Sequence, residues 1–139
     1  MNIAFFLLPK HEVVYLPVTC TMRQALEKME YHRYTAVPLI DEQGKYVGTI
    51  TEGDLLWKLK NTPGLTIAGT NSIPLTDIPQ RMKNAPVRID WQIEDLLSLA
   101  VGQNFVPVVD DHDVFIGIVR RSEIINYYVT LLKDDHRVT

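Results

Sequence analysis

Apolar and polar positions follow two rhythms along this chain. Val13-Val14-Tyr15-Leu16 is a short β-branched and aromatic run closed by Pro17, and it predicts a strand. From Thr21 the period lengthens: Met22, Ala25, Leu26 and Met29 fall at i, i+3, i+4 and i+7, one apolar stripe of a helix. Thr21 and Gln24 have the spacing of a capping box at its start. Ala36–Ile40 and Tyr46–Ile50 read as strands joined by the polar turn Asp41-Glu42-Gln43-Gly44, and a helix follows to about Lys60. The order is β-α-β-β-α.

The order then repeats. Thr35-Ala36-Val37-Pro38-Leu39-Ile40-Asp41 returns 69 residues later as Asn104-Phe105-Val106-Pro107-Val108-Val109-Asp110, and Gly48 returns as Gly117. Val87-Arg88-Ile89 is the matching first strand. Ile93, Leu96, Leu97 and Ala100 repeat the helical stripe at an offset of 71, so the next connection is two residues shorter and Gly102 suits the tighter turn. Phe105–Val109 and Val114–Val119 are strands, and a last helix runs from about Arg121 to Leu132. The expected organisation is a first repeat over residues 1–60 with an apolar lead-in, a Pro/Gly-containing linker over 61–73, a second repeat over 74–132 with a one-turn lead-in at Pro74–Met82, and a frayed tail over 133–139. The last helix is apolar on more than one side, through Ile124, Ile125, Tyr127, Tyr128, Val129, Leu131 and Leu132. One side covers its own sheet, and the other suggests a second copy of the chain.

Composition narrows the functional classes. The 139 residues are 46% hydrophobic, an ordinary globular value that argues against intrinsic disorder. A net charge of −3 argues against nucleic-acid binding through bulk charge but leaves room for a local anion site. The single cysteine, Cys20, fits a reducing compartment. The apolar stretch Ile3–Leu8 is too short to span a bilayer and lacks the basic lead of a signal peptide, so no membrane role and a cytoplasmic location are expected. His11, His32, His112 and His136 lack metal-ligand spacing, and Asp110-Asp111-His112-Asp113 lacks the Gly and Glu of a calcium loop, so no metal is expected. No phosphate loop, nucleophile elbow or paired carboxylates point to an enzyme.

Thr51-Glu52-Gly53-Asp54 carries two readings. It is a capping-box variant at a helix start, with Thr51 satisfying orphan N–H groups. It is also an anion site, where Thr51 donates to a phosphate, Asp54 accepts from a ribose diol and Gly53 admits a ligand close to the backbone. Thr35-Ala36-Val37-Pro38 is a buried strand whose proline interrupts a ladder. In the second copy Arg120 stands in place of Thr51 and Glu123 in place of Asp54. Glu123 can still hold a diol, and Arg120 or the adjacent Arg121 offers a guanidinium to phosphates, a pair suited to a cyclic dinucleotide. The plain alternative is two solvated arginines and an empty cleft.

The duplicated pattern, with Val37-Pro38 followed by Gly48-Thr49-Ile50-Thr51-Glu52-Gly53-Asp54-Leu55, resembles a tandem pair of cystathionine-β-synthase (CBS) domains, a Bateman module, from about Pro9 to Leu132. The resemblance implies an α+β fold of two pseudo-symmetric β-α-β-β-α repeats packed sheet to sheet around two clefts. It implies a regulatory module that binds an adenine nucleotide (AMP, ADP, ATP, S-adenosylmethionine or cyclic di-AMP) and signals to a partner protein as a homodimer through the apolar helices. It further implies that Thr51 and Asp54 hold the ribose-phosphate in the better-formed cleft, while Ala36 and Val37 contact adenine through their backbone. By the repeat, Asn104, Phe105, Val106 and Pro107 with Arg120, Arg121 and Glu123 form the second set. A ligand-independent dimeric interaction module is the other reading.

Overall fold

Thr21 Oγ1 accepts from the Gln24 N–H at 3.3 Å while Gln24 Oε1 accepts from the Thr21 N–H at 2.9 Å, so helix α1 (Met22–His32) begins where the sequence places it. The computed structural model describes residues 1–138. Its elements are β1 (Leu8–Pro9), β2 (Leu16–Pro17), α1, β3 (Ala36–Ile40), β4 (Tyr46–Thr51), α2 (Glu52–Asn61), β5 (Val87–Arg88), α3 (Leu97–Ala100), β6 (Phe105–Val109), β7 (Phe115–Arg120) and α4 (Arg121–Val138), with short 3-10 turns between them.

The chain forms two compact units. One, Val14–Lys83, holds a three-stranded sheet in the order β2-β3-β4. Its core includes Leu16, Met22, Ala25, Val37, Ile50, Leu55 and Leu75. The other joins Met1–Val13 to the chain from Asn84 onward and holds a four-stranded sheet in the order β1-β7-β6-β5. Its core includes Ile3, Val87, Ile93, Leu96, Val106, Val119 and Ile124. In each unit a parallel pair is followed by an antiparallel hairpin. Both hairpin turns rest on the repeated aspartate. Asp41 Oδ1 accepts from Gln43 and Lys45 N–H, and Asp110 Oδ1 from His112 and Val114 N–H. The bonds from Val114 and then His112 hold the Asp110 carboxyl below its ordinary pKa.

The lead-in segments are exchanged relative to the sequence expectation. The N-terminal segment belongs with the second repeat, and Ile73–Met82 with the first. They make the same bonds. Ile3 donates to Trp91 O (3.1 Å) and Ile93 to Met1 O (2.8 Å), while Leu75 donates to Cys20 O (3.1 Å) and Met22 to Ile73 O (2.7 Å). Ile3 and Leu75 are fully buried. The repeated glycine of the motif has its physical reason here. A Cβ on Gly117 would strike the Leu8 carbonyl of β1, and one on Gly48 would strike the Gln80 side-chain amide. β1 therefore runs antiparallel along β7, whereas the edge of β4 is closed by a side chain: Thr49 N–H donates to Gln80 Oε1 at 3.1 Å.

Several boundaries shift for local reasons. The strand expected at Val13–Leu16 forms at Leu16–Pro17, because the parallel register is set by Leu39 and Ile40 and an edge strand tolerates proline. Val13 instead closes the 3-10 turn Lys10–Glu12. The second-repeat helix begins as a 3-10 turn, Ile93–Leu96, and only one turn of α-helix follows. The tighter winding leaves Leu97 at 45% exposure while Ile93, Leu96 and Ala100 are buried. The last β-strand starts at Phe115, one residue later than expected. The expected linker is no free tether, since Ala68–Ser72 forms a 3-10 turn packed on α1 with Thr70 buried. The last helix continues to Val138 where a frayed tail was expected, and Thr139 lies outside the described residues.

Candidate functional site

In the first-repeat unit the hairpin register brings the predicted residues together. Ala36 pairs with Thr51, Val37 with Ile50, and Thr35 O accepts from the Glu52 N–H at 2.9 Å. β2 covers only Leu39 and Ile40, so on that side the ladder stops short of Ala36–Pro38. Thr35 is exposed, Ala36 half-buried, and Val37 and Pro38 are buried. At the start of α2 the motif closes on itself. Thr51 Oγ1 accepts from the Asp54 N–H (3.1 Å), and Asp54 Oδ2 accepts from the Thr51 N–H (3.0 Å). Asp54 Oδ1 accepts from the backbone N–H of Arg81 (3.2 Å), and the side chain is 3% exposed. Each carboxylate oxygen thus has a donor. The Arg81 guanidinium lies over the Trp57 ring at 5.5 Å, with Lys60 at 5.2 Å.

The second-repeat unit repeats the scaffold with different chemistry. Phe105 pairs with Arg120, and Asn104 O accepts from the Arg121 N–H at 3.2 Å. β5 covers only Val108 and Val109, so the same stretch of β6, Phe105–Pro107, lies beyond the parallel ladder. Phe105, Val106 and Pro107 are buried and Asn104 is half-buried. Arg120 Nη2 meets Glu123 Oε1 at 3.2 Å, with the side chains 52% and 36% exposed. A pair this exposed is worth about 0–1 kcal/mol, so a ligand can open it at small cost. Arg121 is half-buried, and its Nε donates to Gln103 O at 2.8 Å.

The lead-ins explain part of the difference. At the lead-in offset of 72, Arg81 corresponds to Pro9. A proline has no N–H, so the second-repeat carboxylate has no counterpart of the Arg81 bond.

Sequence reasoning missed four residues around these motifs. Gln80 and Arg81 close the first one. Gln103 and Asn84 line the second: Ala85 N–H donates to Gln103 Oε1 (2.9 Å), Gln103 Nε2 donates to Phe105 O (3.2 Å), and Asn84 Nδ2 donates to Asn104 Oδ1 (3.4 Å). One signal was available. At the strand offset of 71, Asn84 aligns with Val13, a polar residue where the other repeat has an apolar one.

Two further surfaces are chemically distinct. A groove of about 620 Å³ between α1 and α2 is lined by Leu26, Met29, Leu55, Leu56, Leu59 and Ile67, with charged residues among them. Ile125, Val129, Leu131 and Leu132 are exposed on α4. Glu94, at the second-repeat lead-in, accepts from Tyr127 Oη (2.6 Å) and from the Met1 amine (2.9 Å), which together hold its carboxyl at about 2, down from 4.5. Among the described residues no group of side chains has metal-ligand geometry, and no helix is long and apolar enough to cross a membrane.

The family model for the CBS domain matches twice, over residues 7–61 and 74–130. The chloroplastic CBS domain-containing protein CBSX1 of Arabidopsis thaliana is 24% identical over 95% of this chain, and the match spans 66% of that relative's length, just under two thirds. The crystal structure of CbpB in complex with c-di-AMP superposes at a TM-score of 0.82, with 21% identity, covering 100% of this chain and 91% of that one. The crystal structure of CBSX2 in complex with AMP superposes at 0.67, with 22% identity, covering 94% and 97%.

Proposed function

The chain belongs to the CBS domain family, and from that premise we propose that it is a regulatory module that binds an adenine nucleotide of the AMP, ADP or ATP type and signals to a partner protein. The observation that carries the reading is the second-repeat motif. There a stretch of strand beyond the parallel ladder leads into two consecutive arginines, the first paired with a carboxylate three residues on and the second bonded to Gln103 O. The Phe105–Pro107 stretch offers an apolar wall to a base. Glu123 offers two acceptors to a ribose diol, and Arg120 with Arg121 offers donors to phosphate. Thr51 and Asp54 form the same constellation with each carboxylate oxygen already holding one backbone donor, so a ligand there shares Asp54 with the Thr51 and Arg81 N–H groups. The sequence favours the first motif for its residue types. The geometry favours the second for its availability, and the proposal rests there.

CbpB, in the structure above, is in complex with c-di-AMP, and the two adjacent arginines suit a ligand with two phosphates. Cyclic di-AMP is therefore the second ligand reading. The exposed apolar residues of α2 and α4, Leu56, Trp57, Ile125, Val129 and Leu132, support homodimerisation as part of the proposal. A cytoplasmic, non-enzymatic role completes it.

A thermal-shift panel of AMP, ADP, ATP, S-adenosylmethionine and cyclic di-AMP tests the reading. A ligand at about 100 times its Kd stabilises the folded state by about 2.7 kcal/mol, a clear rise in Tm. A melting curve unmoved by all five would leave the ligand-independent interaction module as the surviving function.

A further inference from the structure

Trp57, Lys60 and Arg81 form one cluster on the surface of the first-repeat unit. The Lys60 ammonium stands 5.2 Å and the Arg81 guanidinium 5.5 Å from the centre of the indole ring, and all three side chains are exposed. Among the described residues no carboxylate pairs with either cation, and the indole N–H has no acceptor. An aromatic face attracts a cation but does not neutralise it. The cluster therefore presents three donors and no acceptor.

Its neighbours add to that character. Around α2, helical spacing places Lys60 between Trp57 and Leu56, and Leu56 is 57% exposed. Lys83, two residues beyond Arg81, is a further exposed cation. Arg81 also ties the cluster to the first motif, because its backbone N–H donates to Asp54 Oδ1 at 3.2 Å while its guanidinium lies over the ring. Donors beside an exposed leucine fit carboxylates on a segment that also carries an apolar side chain. Nucleic acid is an anion as well, but the chain's net charge of −3 opposes a long polyanion, and a single indole gives successive bases no platform to stack on.

We propose that the Trp57–Lys60–Arg81 cluster is the docking surface for an acidic segment of the partner protein. The inference rests on the signalling half of the reading above, not on the nucleotide, and it gives the partner a chemistry and a place.

The test is an NMR titration of the isotope-labelled full chain. The sequence has two tryptophans, so two indole N–H signals report, and Trp91→Phe assigns them. The probe is a blocked peptide of glutamates around one leucine. The same peptide with lysines for glutamates, oligothymidylate and inorganic phosphate are the comparisons. In wild type the Trp57 signal should move with the acidic peptide while the Trp91 signal stays, and the affinity should fall by about tenfold or more between about 50 and about 500 mM salt. Lys60→Glu/Arg81→Glu keeps the Arg81 N–H and should exchange the preference, losing the acidic peptide and gaining the basic one. If that variant does not fold, Lys60→Gln/Arg81→Gln serves, with an expected loss of about tenfold or more. A Trp57 signal unmoved by the acidic peptide, moved as much by the basic one, or moved undiminished in the variants overturns the proposal. An equal response to inorganic phosphate overturns it in favour of a simple anion site, and tighter binding of oligothymidylate in favour of nucleic acid. A signal that follows protein concentration and not peptide assigns the cluster to a contact between copies and overturns it too. Each of these failures leaves nucleotide binding, read by the thermal-shift panel, untouched.

Discussion

The two helix-start motifs of this chain occupy equivalent places in equivalent hairpins, yet one is closed and the other open. Asp54 is buried, and its two oxygens are held by the N–H groups of Thr51 and Arg81. Glu123 is partly exposed and, among the described residues, meets Arg120 across a weak surface pair. The scaffolds match in strand register, in the repeated glycine and in the lead-in bonds. What differs is the reciprocal capping box of Thr51 and Asp54, replaced by the Arg120–Glu123 pair, and the Arg81 N–H, for which Pro9 offers no counterpart. In one motif the carboxylate is buried in a capping box, and in the other it is paired at the surface, where the proposed function places the ligand.

The largest effect expected from this contrast is in stability. Asp54→Ala strands two N–H donors beside a buried site and removes half of a capping box, at a cost of about 2–3 kcal/mol. Glu123→Ala removes a partner from an exposed pair and should cost under about 0.5 kcal/mol. Urea unfolding of the two variants would contradict the closed-versus-open contrast if the costs came out equal. Next in size is the Arg81 donor. Arg81→Pro imitates Pro9 and should cost about 1 kcal/mol through the lost bond to Asp54, whereas Arg81→Ala keeps the N–H and should cost less. Equal losses in the same unfolding assay would assign the effect to the guanidinium on Trp57 instead.

The smallest effect concerns the anchor of the second-repeat lead-in. The Glu94 carboxyl, held at about 2 by Tyr127 and then the Met1 amine, is more acidic folded than unfolded. Its contribution is fully present above about pH 4.5 and is lost as the pH falls toward 2. Glu94→Gln should therefore flatten the fall of Tm across that acid window relative to wild type. A Tm profile with the same slope in both proteins would show that the anchor contributes nothing.

Most of the fold was legible because it is written twice. The recurring stripes at Met22–Met29 and Ile93–Ala100, and the Val-Pro pairs with their following glycines, set the elements, the hairpins and the family. The capping box at Thr21 formed as spaced. The exchange of lead-ins was not legible, because it depends on which distant edge a short segment pairs with, and β1 has only two residues in its ladder. The state of the motifs was hidden for the same reason. Thr51-Glu52-Gly53-Asp54 reads as more suited to a nucleotide than Arg120-Arg121-Ser122-Glu123, and no residue type announces the Arg81 backbone N–H that meets Asp54. Backbone donors leave no mark on residue type, except where proline deletes one.

The central claim is that the ligand is held by the second-repeat motif. Isothermal titration of the ligand selected by the thermal-shift panel into wild type, Asp54→Asn and the double variant Arg120→Ala/Glu123→Ala addresses it directly. The account predicts binding in wild type, affinity within about threefold of wild type in Asp54→Asn, and a loss of about a hundredfold or more in the double variant, the value of two hydrogen bonds to charged groups. Affinity abolished in Asp54→Asn and unchanged in the double variant would contradict it and place the ligand in the first-repeat unit.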